Sequence, residues 1–122
     1  MIVAPPPTMR VIVAGSRGIN SLKTVAAAIQ ASGCAPSEIV SGAARGVDRL
    51  GEQWAQINGV PVRRFPADWD TYPRLGGRIR NVEMAAYADA LVAVWDGRSP
   101  GTRHMIDEMR RRFKPVYVHT CS

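Results

Sequence analysis

The feature that most limits what this chain can become is a rhythm. Short apolar runs rich in β-branched residues recur along it, and helical spacing fills the gaps between them. Arg10–Ala14 (RVIVA) stops at Gly15, and Leu22, Val25, Ala26 and Ile29 then follow at helical spacing within residues 20–32. Asn20 or Ser21 can cap that helix, and Gly33 can close it. Glu38–Ser41 is the next short strand. A helix follows it, with Val47, Leu50, Trp54 and Ile57 as the expected apolar face and an end near Asn58-Gly59. Pro61–Phe65 reads as a third strand and residues 66–77 as a loop. Arg78–Tyr87 reads as a helix and Ala90–Trp95 (ALVAVW) as a strand covered on both faces. Residues 96–101 form another loop. Thr102–Phe113 is then expected as a helix with Met105, Ile106, Met109 and Phe113 inward, and Pro115–His119 as the last strand.

Strands alternating with helices imply a parallel sheet with right-handed crossovers. The expected fold is α/β: a single Rossmann-like domain of three layers over residues 9–122, with five parallel strands in the order 3-2-1-4-5. A length of 122 residues leaves room for one domain, and 46% hydrophobic residues suffice for one core. Residues 1–8, with Pro5-Pro6-Pro7, are expected to form a loose arm, and Met9 is an alternative start. No segment is long and apolar enough for a membrane span, so no membrane partner is expected. Cys34 and Cys121 form no CxxC pair. They read as unpaired thiols in a reducing cytoplasm, with no metal site and no cofactor implied.

The order 3-2-1-4-5 puts the switch point between strands 1 and 4. Ligands of such sheets sit there, outside the carboxyl ends of the strands. The loops after strands 1, 2 and 4 therefore matter, and each is rich in glycine or small residues. The first is Gly15-Ser16-Arg17-Gly18. Its backbone N–H groups can approach an anion, with Ser16 and Arg17 as further donors. It is neither a Walker A loop nor a GxGxxG fingerprint, and a plain tight turn explains it equally well. The second is Ser41-Gly42-Ala43-Ala44-Arg45-Gly46-Val47-Asp48, small residues around Arg45 just before a helix. Asp48 can accept from a ribose hydroxyl or serve the first helical turn, and the second role is favoured. The third is Asp96-Gly97-Arg98-Ser99-Pro100-Gly101-Thr102. Here Asp96 can take a ligand hydroxyl, Thr102 reads as an N-cap and Gly101 exposes its N–H. A fourth region adds Trp69 and Tyr72, able to stack on a base or to pack the loop, together with Arg80 and Asn81 at a helix start.

The formal net charge is +6, and of 16 basic residues only Lys23 and Lys114 are lysine. Arginine suits bidentate grip of phosphate, although most surface arginines are solvated charge. His104 reads as a solvated or packed histidine. Asp107 and Glu108 point apart on their helix, and Arg110-Arg111-Arg112 read as a solvated helix end.

The succession VAGSRG, SGAARGVD, FPADW, RN-x-x-M and WDGRSPGTRHMI resembles the YspA-type, cpYpsA-related branch of the SLOG superfamily, from Val11 to about Pro115. The resemblance implies a Rossmann-like fold and a nucleotide or nucleotide-derived ligand. In the related LOG phosphoribohydrolases a PGGxGTxxE loop carries the glutamate that cleaves the N-glycosidic bond. Counting from Gly101-Thr102, that position is Met105 here, so binding is favoured over hydrolysis and no catalytic residue is assigned. The segment Gly42–Asp48 is similar to G-x-ARG-[IV]-D of the DNA-processing protein A family, which implies single-stranded nucleic acid as an alternative partner. Related families also imply a homodimer. The expected ligand-binding set is Gly15, Ser16, Arg17, Gly42, Ala43, Arg45, Asp48, Trp69, Arg80, Asn81, Asp96, Ser99, Gly101 and Thr102.

Overall fold

Along the first strand, Val11 and Val13 point to one face of the sheet and Ile12 and Ala14 to the other, and all four are buried. A strand with both faces covered must lie at the centre of a layered domain. The computed structural model describes residues 9–121, so the expected arm at residues 1–8 lies outside the described residues. The elements are β1 (Arg10–Gly15), α1 (Leu22–Ala31), β2 (Glu38–Ser41), α2 (Val47–Ile57), β3 (Val62–Arg64), α3 (Gly76–Tyr87), β4 (Ala90–Trp95), α4 (Pro100–Arg111) and β5 (Val116–Thr120). The five strands are all parallel, in the order β3-β2-β1-β4-β5. The α/β Rossmann-like architecture and strand order expected from the sequence are those observed.

The core has two halves, one on each side of the sheet. Val25, Ala28 and Ile29 of α1 and Val47 and Ala55 of α2 pack on Val11, Val13, Val92 and Val94. Met84 and Ala85 of α3 and Met105, Ile106 and Met109 of α4 pack on Ile12, Ala14, Leu91 and Ala93. Ser21 caps α1 by accepting from the Thr24 N–H, and Gly33 follows the helix with a φ of 74°. Both fulfil the sequence expectation.

Several local expectations need correction. On α2 the buried residues are Val47, Asp48, Gly51 and Ala55, while Ile57 is 66% exposed. Gly51 lies so close to Val13 that an added Cβ would come within 2.8 Å of its side chain. Close helix–sheet packing thus selects the small-residue edge of α2, and Leu50 and Trp54 are left only partly buried. α3 begins at Gly76, inside the segment read as a loop. α4 begins at Pro100, with Ser99 as N-cap, so Thr102 is not the cap but a buried residue of the first turn. The same helix stops at Arg111. Phe113 then takes a φ of 57°, and the Lys114 N–H reaches back to the Met109 carbonyl. That closure turns Phe113 outward, 96% exposed, instead of into the core.

Gly15 sets how closely β1 and β4 can approach at the switch point. A Cβ there would lie 1.8 Å from the Val94 carbonyl oxygen, whereas one on Gly18 would meet nothing within 4 Å. Gly15→Ala is therefore expected to destabilise the fold by about 3 kcal/mol, and Gly18→Ala by less than about 1 kcal/mol. Urea denaturation of the two variants measures the contrast, and equal midpoints would show that the Gly15 contact does not limit the fold.

Candidate functional site

Ser16 joins the three glycine-rich loops. Its N–H donates to the Val94 carbonyl, and its own carbonyl accepts from Ile19 and, at 3.5 Å, from Val47 at the start of α2. Its hydroxyl accepts from the Asp96 N–H at 2.9 Å and lies 3.1 Å from the Ser99 hydroxyl. Gly46 allows the second loop to close on the first. It has a φ of 76°, and a Cβ there would lie 2.5 Å from the Ser16 carbonyl oxygen. The result is a concave surface over the carboxyl ends of β1, β2 and β4, where the strand order placed it.

Two adjoining cavities occupy this surface, about 570 Å³ and about 290 Å³ in volume, and they share Arg17, Ala44, Trp69 and Arg80. The larger is lined by Gly15 and Asp48 below, Asn81 on α3, and Ser99, Gly101 and Thr102 at the start of α4. Gly42, Ala43 and Arg45 line the smaller. Ser16 and Asp96 line neither. Ser16 is buried as the loop junction, and the Asp96 carboxylate is turned onto its own loop. The Ser99 and Arg98 N–H groups donate to it and hold its pKa down at about 2. Its acceptors are used within the loop, so the structure does not bring Asp96 to the site as a ligand for hydroxyls.

The second loop is also largely satisfied from within. The Ala43 N–H donates to the Ser41 hydroxyl, and the Ala44 N–H donates to Asp48 Oδ2 at 3.2 Å. Ala43 itself has a φ of 60°. Asp48 is 5% exposed, and burial pushes its pKa up to about 6 against the opposing charge of Arg80 and the N–H groups of Ala44 and Gly15. The Ser41 hydroxyl thus engages the N–H of Ala43, a residue expected to face a phosphate, and the internal Asp48 carboxylate engages the Ala44 N–H. Asp48 bonds the loop ahead of α2, a different structural role from service to the first helical turn.

Arg80 spans the wall between the cavities. Its Nε donates to Asn81 Oδ1 at 3.0 Å, and its terminal nitrogen donates to the Gly42 carbonyl. A Cβ on Gly42 would lie 2.7 Å from that nitrogen, so the guanidinium would have to shift for any larger residue there. The Asn81 amide donates to the Gly101 carbonyl and to His104 Nδ1. With Arg80 on its oxygen, Asn81 is held on both sides and ties α3 to α4. His104 Nε2 faces Glu108 at 3.6 Å, and burial lowers the imidazole pKa.

Glu108 lies outside both cavities and binds Arg111 and Arg112. Two members of the arginine run are therefore anchored, contrary to a wholly solvated helix end. His104 lines the larger cavity, as do Arg74 and Arg78, while Arg49 lines the smaller. Sequence reasoning did not select these four. The i, i+4 spacing of His104 and Glu108 was the available signal for the first.

Among the described residues the lining includes six arginines, at positions 17, 45, 49, 74, 78 and 80, and Asp48 as its one carboxylate. The α4 N-terminus adds polar donors. No side chain caps it, and Arg103 is the first residue to donate back, to the Ser99 carbonyl. The Gly101 and Thr102 N–H groups belong to the first turn and lack intrahelical partners, and both residues line the larger cavity. The chemistry available is that of gripping an oxyanion.

The raised pKa of Asp48 has a definite consequence for stability. The carboxyl binds its proton more tightly in the folded chain than in the unfolded one. Its contribution is therefore fully present below the unfolded value of 3.8 and is lost as pH rises through about 6. The loss is expected to reach about 3 kcal/mol. Asp48→Asn should remove that part of the slope, seen as the difference between the wild-type and variant urea-denaturation profiles from pH 4 to pH 7. Parallel profiles would contradict the shift.

Comparison with known proteins bears on the family and the fold. Gene 61 protein of Mycobacterium phage D29 is 37% identical over 84 residues, which cover 64% of this chain and 67% of that protein. The X-ray structure of DNA processing protein A (DprA) from Streptococcus pneumoniae superposes with a TM-score of 0.71 at 19% identity. It matches 94% of this chain, which spans 51% of the DprA chain, and so shares the fold. A family model matches residues 9–72, the stretch that contains the first two loops, Arg17, Arg45, Asp48 and Trp69. The chain belongs to the YspA, cpYpsA-related SLOG family.

Proposed function

We propose that this chain binds a nucleotide or nucleotide-derived phosphate ligand in the paired cavities over the carboxyl ends of β1, β2 and β4. The observation that carries the reading is the gathering of six arginines and the uncapped α4 N-terminus around one concavity with a single, buried carboxylate. Free helix N–H groups and guanidinium forks both favour phosphate oxygens. The cavity volumes suit a small molecule. Trp69 is 46% exposed beside Arg17 and Arg80 and offers a ring face to a base.

Cleavage is not part of the proposal. Met105 occupies the position of the LOG glutamate, and Asp48 is the one carboxylate in the lining, turned onto backbone N–H groups. A second reading, single-stranded nucleic acid crossing the same opening, is favoured by the half-exposed Trp69, which lines both cavities with the arginines.

Thermal-shift and calorimetric titration with nucleoside mono-, di- and cyclic phosphates tests the proposal. At least one is expected to raise the melting temperature, and Arg17→Ala to weaken its binding about tenfold, the loss of one charge-assisted contact. Chromatography after incubation should show the nucleotide intact. Absence of any shift, in protein free of co-purified nucleotide, would sink the reading. Binding confined to oligonucleotides and steeply weakened by salt would favour the second.

A further inference from the structure

The cationic site is divided. Arg80 and Trp69 stand between the two cavities and belong to both, together with Arg17 and Ala44. The α4 N-terminus, with the Gly101 and Thr102 N–H groups, serves the larger cavity alone. Arg45 and Arg49 serve the smaller alone, and among the described residues no carboxylate lines it. The ion pairs found among the described residues involve Arg64, Arg111, Arg112 and His104, and none of these belongs to the smaller cavity. Arg17, Arg45 and Arg49 are thus exposed cations without an acidic partner, gathered on one small concavity. Like charges held together repel unless an anion comes between them. A single phosphate at the α4 N-terminus would leave Arg45 and Arg49, which line only the smaller cavity, uncompensated.

Resting on the ligand class proposed above, we infer that the natural ligand carries two separate phosphate groups, one on each side of Arg80. The larger cavity takes one phosphate at the start of α4, and Arg17, Arg45 and Arg49 take the other. The nucleoside lies between them, against Trp69 and Arg80. The chemical class is a nucleoside phosphorylated at both its 5′ and 3′ positions, or a dinucleotide with the same spacing. A nucleotide whose phosphates form one contiguous chain fits less well, because it would place its charge on one side of the wall.

Isothermal titration with the 5′-monophosphate, the 5′-diphosphate and the 3′,5′-bisphosphate of each common ribonucleoside tests this. In a base series that binds, the 3′,5′-bisphosphate is expected to bind about tenfold tighter than the 5′-monophosphate and clearly tighter than the 5′-diphosphate, a gain of roughly 1.4 kcal/mol. In the double variant Arg45→Ala, Arg49→Ala, the preference for the bisphosphate over the monophosphate, both measured on that variant, is expected to fall below about twofold. Equal affinity for the diphosphate and the 3′,5′-bisphosphate would overturn the inference, because total charge would then decide. So would monophosphate binding with no gain from the second phosphate, and that result would leave the proposed function standing. Binding by none of the three, in any base series, would overturn the inference, and the proposed function would fall with it only if the cyclic phosphates also failed to bind.

Discussion

The site depends on the junction at Ser16. One buried residue accepts from the start of α2 and from the loop after β4, while its own N–H is fixed to β4. These bonds are possible because Gly15 lets β1 run tight against Val94 and Gly46 lets the second loop close over the first. Buried backbone groups must find partners, and here they find them across three loops distant in sequence. The loops therefore form one rigid rim instead of three independent turns.

On that rim, the division of labour differs from the usual picture of a glycine-rich phosphate cradle. The second loop turns its Ala43 and Ala44 N–H groups onto Ser41 and Asp48. Its backbone is thereby shaped and closed by the protein's own acceptors. Under the proposed function, anion recognition then falls to side chains, the arginines that line the cavities, and to the start of α4. Asp48 is expensive to keep ionised in this place, as its raised pKa shows. In return it orders the loop and holds a negative charge near Arg80.

A second line of connection runs across the helices. Arg80 bonds Gly42 and Asn81, Asn81 bonds Gly101 and His104, and His104 faces Glu108. The chain of contacts links the second loop, α3 and α4, of which α4 walls only the larger cavity. Asn81 is thereby a positioning residue whose two amide ends are both engaged, and its neighbours share whatever disturbs it.

The sequence by itself determined the layers. Alternating β-branched runs and helical spacing fix a doubly wound parallel sheet, because both faces of β1 and β4 must be covered and parallel strands need crossovers. The strand order followed, and with it the rim on which a ligand can sit. Local signals such as the Ser21 cap and Gly33 were legible because they act within a few residues. Tertiary structure alone decided which rim residues face the cavity. Ser16 and Asp96 carry polar groups of the right type, yet distant and local N–H groups claim them first. Arg49, Arg74 and His104 looked like ordinary surface or packed residues until the fold brought their elements together. Phe113 turned outward because the helix closure required a left-handed residue at that position. A composition or motif reports which groups are available, and only the packed chain settles which of them remain unpaired and point to the same space.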